Sequence, residues 1–171
     1  MAPYCLFFGK MSGYCFAETG EHKFDIFNGV LITHGTSLWL MTKVFECIQD
    51  SDLHNINPNK DWKKGVRCDL NNYYIVASTE HFECASCVRL FYNAHTLIIE
   101  YLYTIPDARS CGVGKKLIDF CRVLSKQRDV LVIATEDACA YWMKLGFIWD
   151  ASKDTEALNK FNDTYLLSDT V

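Results

Sequence analysis

The hydrophobic pattern changes its period in the middle of the chain, and this change limits the fold more than any other feature. Before it, three apolar runs rich in β-branched and aromatic residues, 73–78, 82–91 and 97–105, are separated by short polar turns. Such spacing is typical of an antiparallel meander. After it, apolar residues recur at helical spacing from Val113 to Leu124, and residues 129–134 predict another buried strand. This order predicts an α/β fold with at least one parallel crossover.

The remaining elements are predicted from local signals. Ser37 or Thr36 is a suitable N-cap for a first helix, and Gly146 is a suitable stop for a later one. The predicted elements are a strand within 24–33, a helix over about 37–50, a loop over 51–71, a helix over about 137–145 and strands at 147–149 and 164–167. With 171 residues and no linker-like segment, residues 1–171 are expected to form a single domain.

Composition disfavours several classes of protein. No apolar stretch is long enough to cross a membrane, and a net charge of −4 without a basic cluster disfavours nucleic-acid binding. Residues 1–10 lack the basic start and long apolar core of a signal peptide. Nine cysteines, an odd number without such a signal, favour reduced thiols over a disulfide framework. We therefore expect a cytoplasmic or nuclear protein without membrane or nucleic-acid partners.

Two of these cysteines, Cys84 and Cys87, form a CxxC pair close to His81. A zinc site would need further ligands and a turn that brings both thiols to one side. Because this segment is predicted to be a strand, the two side chains are expected on opposite faces of the sheet. The sequence therefore predicts structural cysteines and no metal.

The loop between the third strand and the following helix carries the strongest chemical signal. Gly112 and Gly114 remove β-carbons that would block a ligand, and the N–H groups at the start of a helix attract an anion. Arg109 and Lys115 can add charged hydrogen bonds, so the loop suits a pyrophosphate. An ordinary glycine turn before an amphipathic helix is the alternative. The P-loop and dinucleotide-binding patterns are not matched, because GxxxxGK[ST] and the third glycine of GxGxxG are absent.

These residues resemble the GNAT superfamily of acetyl-CoA-dependent N-acetyltransferases. Residues 109–114 match its signature Q/R-x-x-G-x-G/A, and residues 134–147, which end in K-x-G-F, resemble its second motif. The resemblance covers about residues 73–150. It implies a GNAT-like mixed, mostly antiparallel twisted sheet flanked by helices, with splayed central strands. It also implies acetyl-CoA as co-substrate, an amine as acceptor, and direct transfer in a ternary complex without an acyl-enzyme.

The resemblance also assigns the cofactor contacts. The pantetheine arm would pair with the main chain of the strand that precedes the loop, and the pyrophosphate would lie on the amides at the helix start. Trp142 would pack on the arm, although core packing explains that ring equally well. The expected cofactor-binding residues are Leu102, Tyr103, Thr104, Arg109, Ser110, Cys111, Gly112, Val113, Gly114, Lys115 and Trp142.

The catalytic residues depart from the family's pattern. Many members protonate the leaving thiolate with a tyrosine at the position that is Trp142 here, whereas the tyrosine of this chain, Tyr141, comes one place earlier. Glu100 is the candidate general base, because it is the only carboxylate in 97–105 and its apolar neighbours would raise the pKa of its carboxyl group. A charged residue on a solvated strand face would look the same. We take Glu100 and Tyr141 as the candidate catalytic residues.

The acceptor is the least constrained part of the prediction. The order of Tyr141 and Trp142 resembles the histone-acetyltransferase branch, which favours a protein lysine. The position of Glu100 resembles that of spermidine/spermine acetyltransferases, which favours a polyamine or another small amine. A module that binds acetyl-CoA without turnover is a further alternative, since the usual tyrosine is missing. A homodimer is compatible with the sequence.

Overall fold

A computed structural model of the chain describes residues 21–49, 71–149 and 164–171, so the loop predicted over 51–71 lies almost wholly outside the described residues. The strands are β1 (His22–Phe27), β2 (Val30–Gly35), β3 (Asn71–Ser78), β4 (Ser86–Tyr92), β5 (Thr96–Thr104), β6 (Asp129–Thr135), β7 (Phe147–Trp149) and β8 (Thr164–Asp169). The helices are α1 (Leu38–Gln49), α2 (Val113–Ser125) and α3 (Glu136–Lys144), with a 3-10 turn at Pro106–Ala108.

The eight strands form one sheet in the order β1-β2-β3-β4-β5-β6-β8-β7. Every neighbouring pair is antiparallel except β5 and β6, which are parallel and are connected through α2. The predicted mixed, mostly antiparallel sheet with one helical crossover is therefore confirmed.

The parallel pair β5 and β6 separates after a few residues. Pairing runs from Thr96 opposite Asp129 to Ile99 opposite Val132 and then ends, although β5 continues to Thr104 and β6 to Thr135. The two strands thus form a fork that opens towards their carboxyl ends, which confirms the predicted splayed central strands. Ligands of open α/β sheets bind at the carboxyl ends of such strands.

The helices cover the two faces of the sheet unequally. On one face α1 packs through Leu40 and Val44 against side chains of β3, β4 and β5. On the other face α2 and α3 share a larger core, in which Leu117, Phe120 and Trp142 contact the buried strand residues. No helix in the described ranges is long and apolar enough to cross a membrane.

One strand prediction was incomplete and another began too early. Residues 24–33 contain parts of two strands, because Asn28 and Gly29 adopt positive φ angles of 48° and 77° and turn the chain into the β1–β2 hairpin. Residues 82–85 precede β4, which begins only at Ser86. The second difference decides where Cys84 lies, because its side chain need not follow the alternation of a strand.

Candidate active site

The loop between β5 and α2 presents the helix N-terminus to the open fork. Ser110 and Gly112 both adopt left-handed backbone conformations, with φ angles of 69° and 74°. Gly112 is the N-cap residue of α2, and no described side chain makes a capping hydrogen bond there. The first N–H groups of a helix have no partner within it, and together they carry a partial positive charge. The loop can therefore receive an anion through its main chain, as Gly112, Val113, Gly114 and Lys115 were predicted to do.

Gly114 lies where three elements meet. A β-carbon placed on it would be 3.0 Å from Thr104 Oγ1 on β5 and 3.4 Å from Tyr141 Oη on α3. Thr104 is held in turn by Ser86 of β4, whose Oγ lies 2.8 Å from Thr104 Oγ1. The end of β5, the start of α2 and the Tyr141 hydroxyl thus lie in close contact around Gly114.

The predicted basic contacts lie on either side of this loop. Arg109 is exposed, and its Nε donates a hydrogen bond of 3.1 Å to the Thr104 carbonyl while its guanidinium lies 5.9 Å from the centre of the Tyr103 ring. Lys115 points along the helix surface, where its Nζ lies 3.2 Å from Asp119 Oδ2. Ser110 and Cys111 are exposed on the loop itself. Arg109 is thus held at the end of β5, whereas Lys115 would have to leave Asp119 to reach a bound anion.

The last residues of β5 form one wall of the fork. Leu102, Tyr103 and Thr104 pair with Val88, Cys87 and Ser86 of β4 on one side. Pairing between β5 and β6 ends at Ile99, before these three residues. An extended ligand can pair with the edge of a strand as a further strand would. The contact of this segment with a pantetheine arm stays a prediction.

Glu100 occupies the base of the fork. It follows Ile99, the last β5 residue paired with β6, and it is the extra residue of a β-bulge, because Arg89 lies opposite Tyr101 and Leu90 opposite Ile99. Bulges redirect side chains and are common beside active sites. The Glu100 carboxylate lies 3.1 Å from the guanidinium of Arg89, which is only 3% exposed in its side chain. The surroundings of Glu100 are thus less apolar than the sequence suggested, because a buried guanidinium lies beside its carboxylate.

Tyr141 and Trp142 are neighbours in the chain but lie in different environments. Trp142 is 5% exposed and packs in the core, where its ring centre lies 5.2 Å from that of Phe147. This position fits the core-packing alternative, and a contact of the Trp142 ring with the cofactor stays a prediction. Tyr141 is exposed, its hydroxyl lies close to Gly114, and partial burial raises the pKa of its phenol. The hydroxyl is therefore protonated at neutral pH and can act as a hydrogen-bond donor.

Sequence reasoning missed Arg89 and Ser86, although both lie behind the site. Arg89 pairs with Glu100, and Ser86 Oγ donates a hydrogen bond of 2.8 Å to the Tyr103 carbonyl. Both side chains are almost completely buried. A signal was present for Arg89, since an arginine inside an apolar strand needs a buried partner. Nothing comparable marks a serine at the start of a strand.

The predicted opposite orientation of Cys84 and Cys87 was wrong. The sulfur atoms of Cys47, Cys84 and Cys87 all lie within 4.8 Å of one another. Cys84 lies before β4, on the segment that turns into the strand, so strand alternation does not apply to it. Cys47 joins the pair from the last turns of α1.

Comparison with known proteins shows which family the chain is similar to. Residues 70–148 match the family model described as an acetyltransferase (GNAT) domain. No curated protein sequence is similar enough to match the chain. Among solved structures, a GNAT-family acetyltransferase from Listeria monocytogenes is similar in fold, with a TM-score of 0.53 at 11% identity over 85% of this chain and 98% of that one.

Two further solved structures resemble the chain. An acyl-CoA N-acyltransferase from Pseudomonas aeruginosa has a TM-score of 0.52 at 14% identity over 77% of this chain and 87% of that one. The PaiA N-acetyltransferase of Thermoplasma acidophilum, solved with coenzyme A, has a TM-score of 0.45 at 13% identity over 56% of this chain. The chain spans only 58% of the length of PaiA.

Proposed function

The chain contains a GNAT acetyltransferase domain, and from this premise we propose that it transfers the acetyl group of acetyl-CoA directly to an amine, with a protein lysine as the preferred acceptor. The observation that carries the proposal is the fork itself. Pairing of β5 with β6 ends at Ile99, and the uncapped start of α2 lies at the mouth of the gap that follows. An extended arm with an anionic end matches both features.

The donor would lie along β5. Its pyrophosphate would accept hydrogen bonds from the N–H groups between Cys111 and Lys115, because no described side chain caps this helix start. Its pantetheine arm would run past Gly114 and pair with the main chain of Leu102–Thr104, so the thioester would point towards the base of the fork. The absence of a side chain at Gly114 lets Thr104 and Tyr141 lie close to this helix start.

Glu100 would act as the general base. It lies at the base of the fork, towards which the thioester would point, and its carboxylate pairs with the guanidinium of Arg89. An amine acceptor enters as an ammonium ion, so a proton must be removed before the nitrogen attacks the thioester carbonyl. The tetrahedral intermediate then expels the CoA thiolate and leaves an amide on the acceptor. No covalent acyl-enzyme is required, and Cys111 has no nucleophilic role in this scheme.

Tyr141 would serve the leaving group. Its hydroxyl lies close to Gly114, beside the proposed path of the donor arm, and it is protonated at neutral pH. A hydrogen bond from this hydroxyl to the sulfur would stabilise the developing thiolate. The acceptor preference rests on the order of Tyr141 and Trp142, which resembles the histone-acetyltransferase branch.

An acceptor panel tests the proposal. The full chain is incubated with acetyl-CoA and lysine peptides, spermidine or amino sugars, and release of the CoA thiol is followed with a chromogenic disulfide. We expect the largest kcat/KM with a lysine peptide. A larger value with spermidine would instead favour a polyamine acetyltransferase. Measurable CoA binding without thiol release for any acceptor would favour a binding module.

Glu100→Gln tests the base separately. We expect kcat/KM at neutral pH to fall about 100-fold, within the usual range for loss of an acid–base group. The loss should shrink as pH rises towards the acceptor's own pKa, which is about 10.4 for lysine, because the free amine no longer needs a base. Glu83→Gln, at an exposed carboxylate before β4, is the matched control and should leave the rate unchanged. Equal rates for Glu100→Gln and the wild type across pH 6 to about 9 would remove Glu100 from the mechanism.

A further inference from the structure

Three cysteine side chains from separate parts of the chain converge behind the donor strand. Cys47 belongs to α1, Cys84 to the segment before β4, and Cys87 to β4 itself. Their sulfur atoms all lie within 4.8 Å of one another. The group lies on the α1 face of the sheet, away from α2 and α3, and plays no part in the proposed acetyl transfer.

The spacing of the sulfur atoms matches a common centre. Tetrahedral zinc with Zn–S bonds of about 2.3 Å holds its sulfur ligands about 3.8 Å apart. Atoms within 4.8 Å of one another reach that arrangement by moving inwards by a few tenths of an ångström each, which side-chain rotation alone can supply. Thiolate ligands favour zinc and other soft ions over magnesium or calcium.

The three cysteines are mostly enclosed by the protein. Cys87 is fully buried, Cys47 is 9% exposed, and Cys84 is partly accessible from one side. Zinc would bind the three side chains as thiolates, and their protons would be released to solvent on binding.

We propose that Cys47, Cys84 and Cys87 form a zinc site that cross-links α1 to the start of β4. In the described ranges no fourth cysteine, histidine or carboxylate lies within reach of all three sulfur atoms. The accessible side of Cys84 leaves room for a water molecule as the fourth ligand. Zinc bound by three thiolates would fix Cys87, which lies opposite Tyr103 in the sheet, and would thereby brace the strand that pairs with the donor arm.

Metal analysis of the full chain tests this site without reference to activity. Protein purified under reducing conditions is loaded with zinc, freed of excess metal by gel filtration and analysed by mass spectrometry of the metal. We expect about one zinc per chain, and with cobalt a thiolate-to-metal charge-transfer band. The three cysteines should also resist alkylation in the zinc-loaded form.

Cys84→Ser is the test variant and Cys139→Ser the control. Cys84 is the least buried of the three residues, so its substitution disturbs folding least, and we expect zinc affinity to fall at least about 100-fold, because even outer-shell changes cost about 10–100-fold. Cys139 is a partly buried thiol on α3 that binds the Thr135 carbonyl, and its variant should retain the metal. Wild-type protein with reduced thiols that takes up no zinc or cobalt would overturn the site. Unchanged affinity in Cys84→Ser, or a disulfide among the three cysteines in place of metal, would overturn it as well.

Discussion

At the residue scale, a substitution at Gly114 should affect ligand binding more than the stability of the fold. A methyl group at this position would lie 3.0 Å from Thr104 Oγ1, which Ser86 holds in place, and would crowd the end of β5 beside the proposed donor site. A helix, by contrast, favours alanine over glycine by up to about 1 kcal/mol. We therefore expect Gly114→Ala to keep its melting temperature but to bind acetyl-CoA at least about ten-fold more weakly, a change of about 1.4 kcal/mol.

Calorimetric titration and thermal denaturation measure both quantities for Gly114→Ala. Gly112→Ala is the contrasting variant, because a β-carbon there meets nothing within 4 Å but the φ angle is 74°. It should lose about 1–2 kcal/mol of stability from backbone strain. Acetyl-CoA affinity in Gly114→Ala equal to that of the wild type would show that the donor does not pass this glycine.

Tyr141 offers a test of the leaving-group role. If its hydroxyl donates to the CoA sulfur, Tyr141→Phe should lower kcat about 10-fold to 100-fold with little change in the KM for acetyl-CoA, because the contact strengthens in the transition state. Since burial raises the pKa of Tyr141, wild-type activity should not decline on the alkaline side before the usual tyrosine pKa of about 10. Steady-state kinetics at saturating acceptor measure both effects. Tyr92→Phe, at the far end of β4, is the control, and an increase in KM alone would reduce Tyr141 to a binding contact.

The buried thiol of Cys121 should make the free energy of unfolding depend on pH in the alkaline range. Burial raises the pKa of this thiol from 9.0 to about 12. Below pH 9 the thiol is neutral in both the folded and the unfolded chain, so the shift has no effect there. Between pH 9 and about 12 only the unfolded chain ionises, and the free energy of unfolding should fall by up to about 1.4 kcal/mol per pH unit from this group.

Replacing Cys121 with valine should remove the part of this decrease in unfolding free energy that its thiol causes. Urea unfolding at pH 8 and about pH 10.5 should show a smaller decrease for Cys121→Val than for the wild type. Cys111→Val, at an exposed loop position, should follow the wild type. The same decrease in all three proteins would contradict the assigned cause.

At the element scale, the sequence predicted most strands and helices because their hydrophobic periods are long and regular. The α2 helix is an example, since its apolar residues recur at helical spacing over 13 residues, whereas β5 was predicted from its β-branched and aromatic content. Short interruptions of a strand, such as turns and bulges, were harder to predict. The turn at Asn28 and Gly29 was readable as a hairpin signal and was overlooked, whereas the bulge at Glu100 leaves no mark in the sequence.

The residues of the candidate site also differ in whether the sequence predicts them. The glycine loop and Glu100 lie within recognisable sequence motifs, so the sequence alone marked them as candidates. Residues that approach from distant segments were not predicted, because no local signal pairs Arg89 with Glu100 or brings Cys47 to Cys84. Tyr141 is intermediate, since the motif placed it near the cofactor but helical geometry alone did not direct its hydroxyl to Gly114.

Arg122 joins three elements on the α2 face. Its guanidinium lies 2.8 and 2.9 Å from the two carboxylate oxygens of Asp169 on β8, donates to the Leu145 carbonyl after α3, and lies 2.9 Å from Asp119. The Asp169 side chain is only 6% exposed. Arg122→Met would leave that carboxylate buried without its partner, so we expect a loss of about 3–5 kcal/mol in the free energy of unfolding.

Urea denaturation measures the loss in Arg122→Met. Lys115→Met is the matched control, because Lys115 also pairs with Asp119 but is 64% exposed. An exposed pair of this kind contributes about 0–1 kcal/mol. A cost for Arg122→Met no larger than that of the control would mean that the network does not hold β8 against α2.

At the scale of the whole molecule, the sheet consists of two parts joined along a short seam. Strands β1 to β5 form one part and β6, β8 and β7 the other, and among the described strands only the pairs from Thr96–Asp129 to Ile99–Val132 connect them. Beyond this seam the parts are connected by α2 and α3, which pack across the shared core. A donor bound in the fork would add contacts to both parts at the place where the strands themselves make none.

Acetyl-CoA should therefore change hydrogen exchange in a defined pattern. At about 100 times its Kd the donor should stabilise the folded chain by about 2.7 kcal/mol. Amides of Leu102–Thr104 and of the first turn of α2 should exchange more slowly, because they gain a direct hydrogen-bond partner. The β1–β2 hairpin lies at the far edge of the sheet, and its locally opening amides should exchange at unchanged rates. Exchange measured by mass spectrometry with and without acetyl-CoA checks both regions, and protection confined to the hairpin would place the ligand outside the fork.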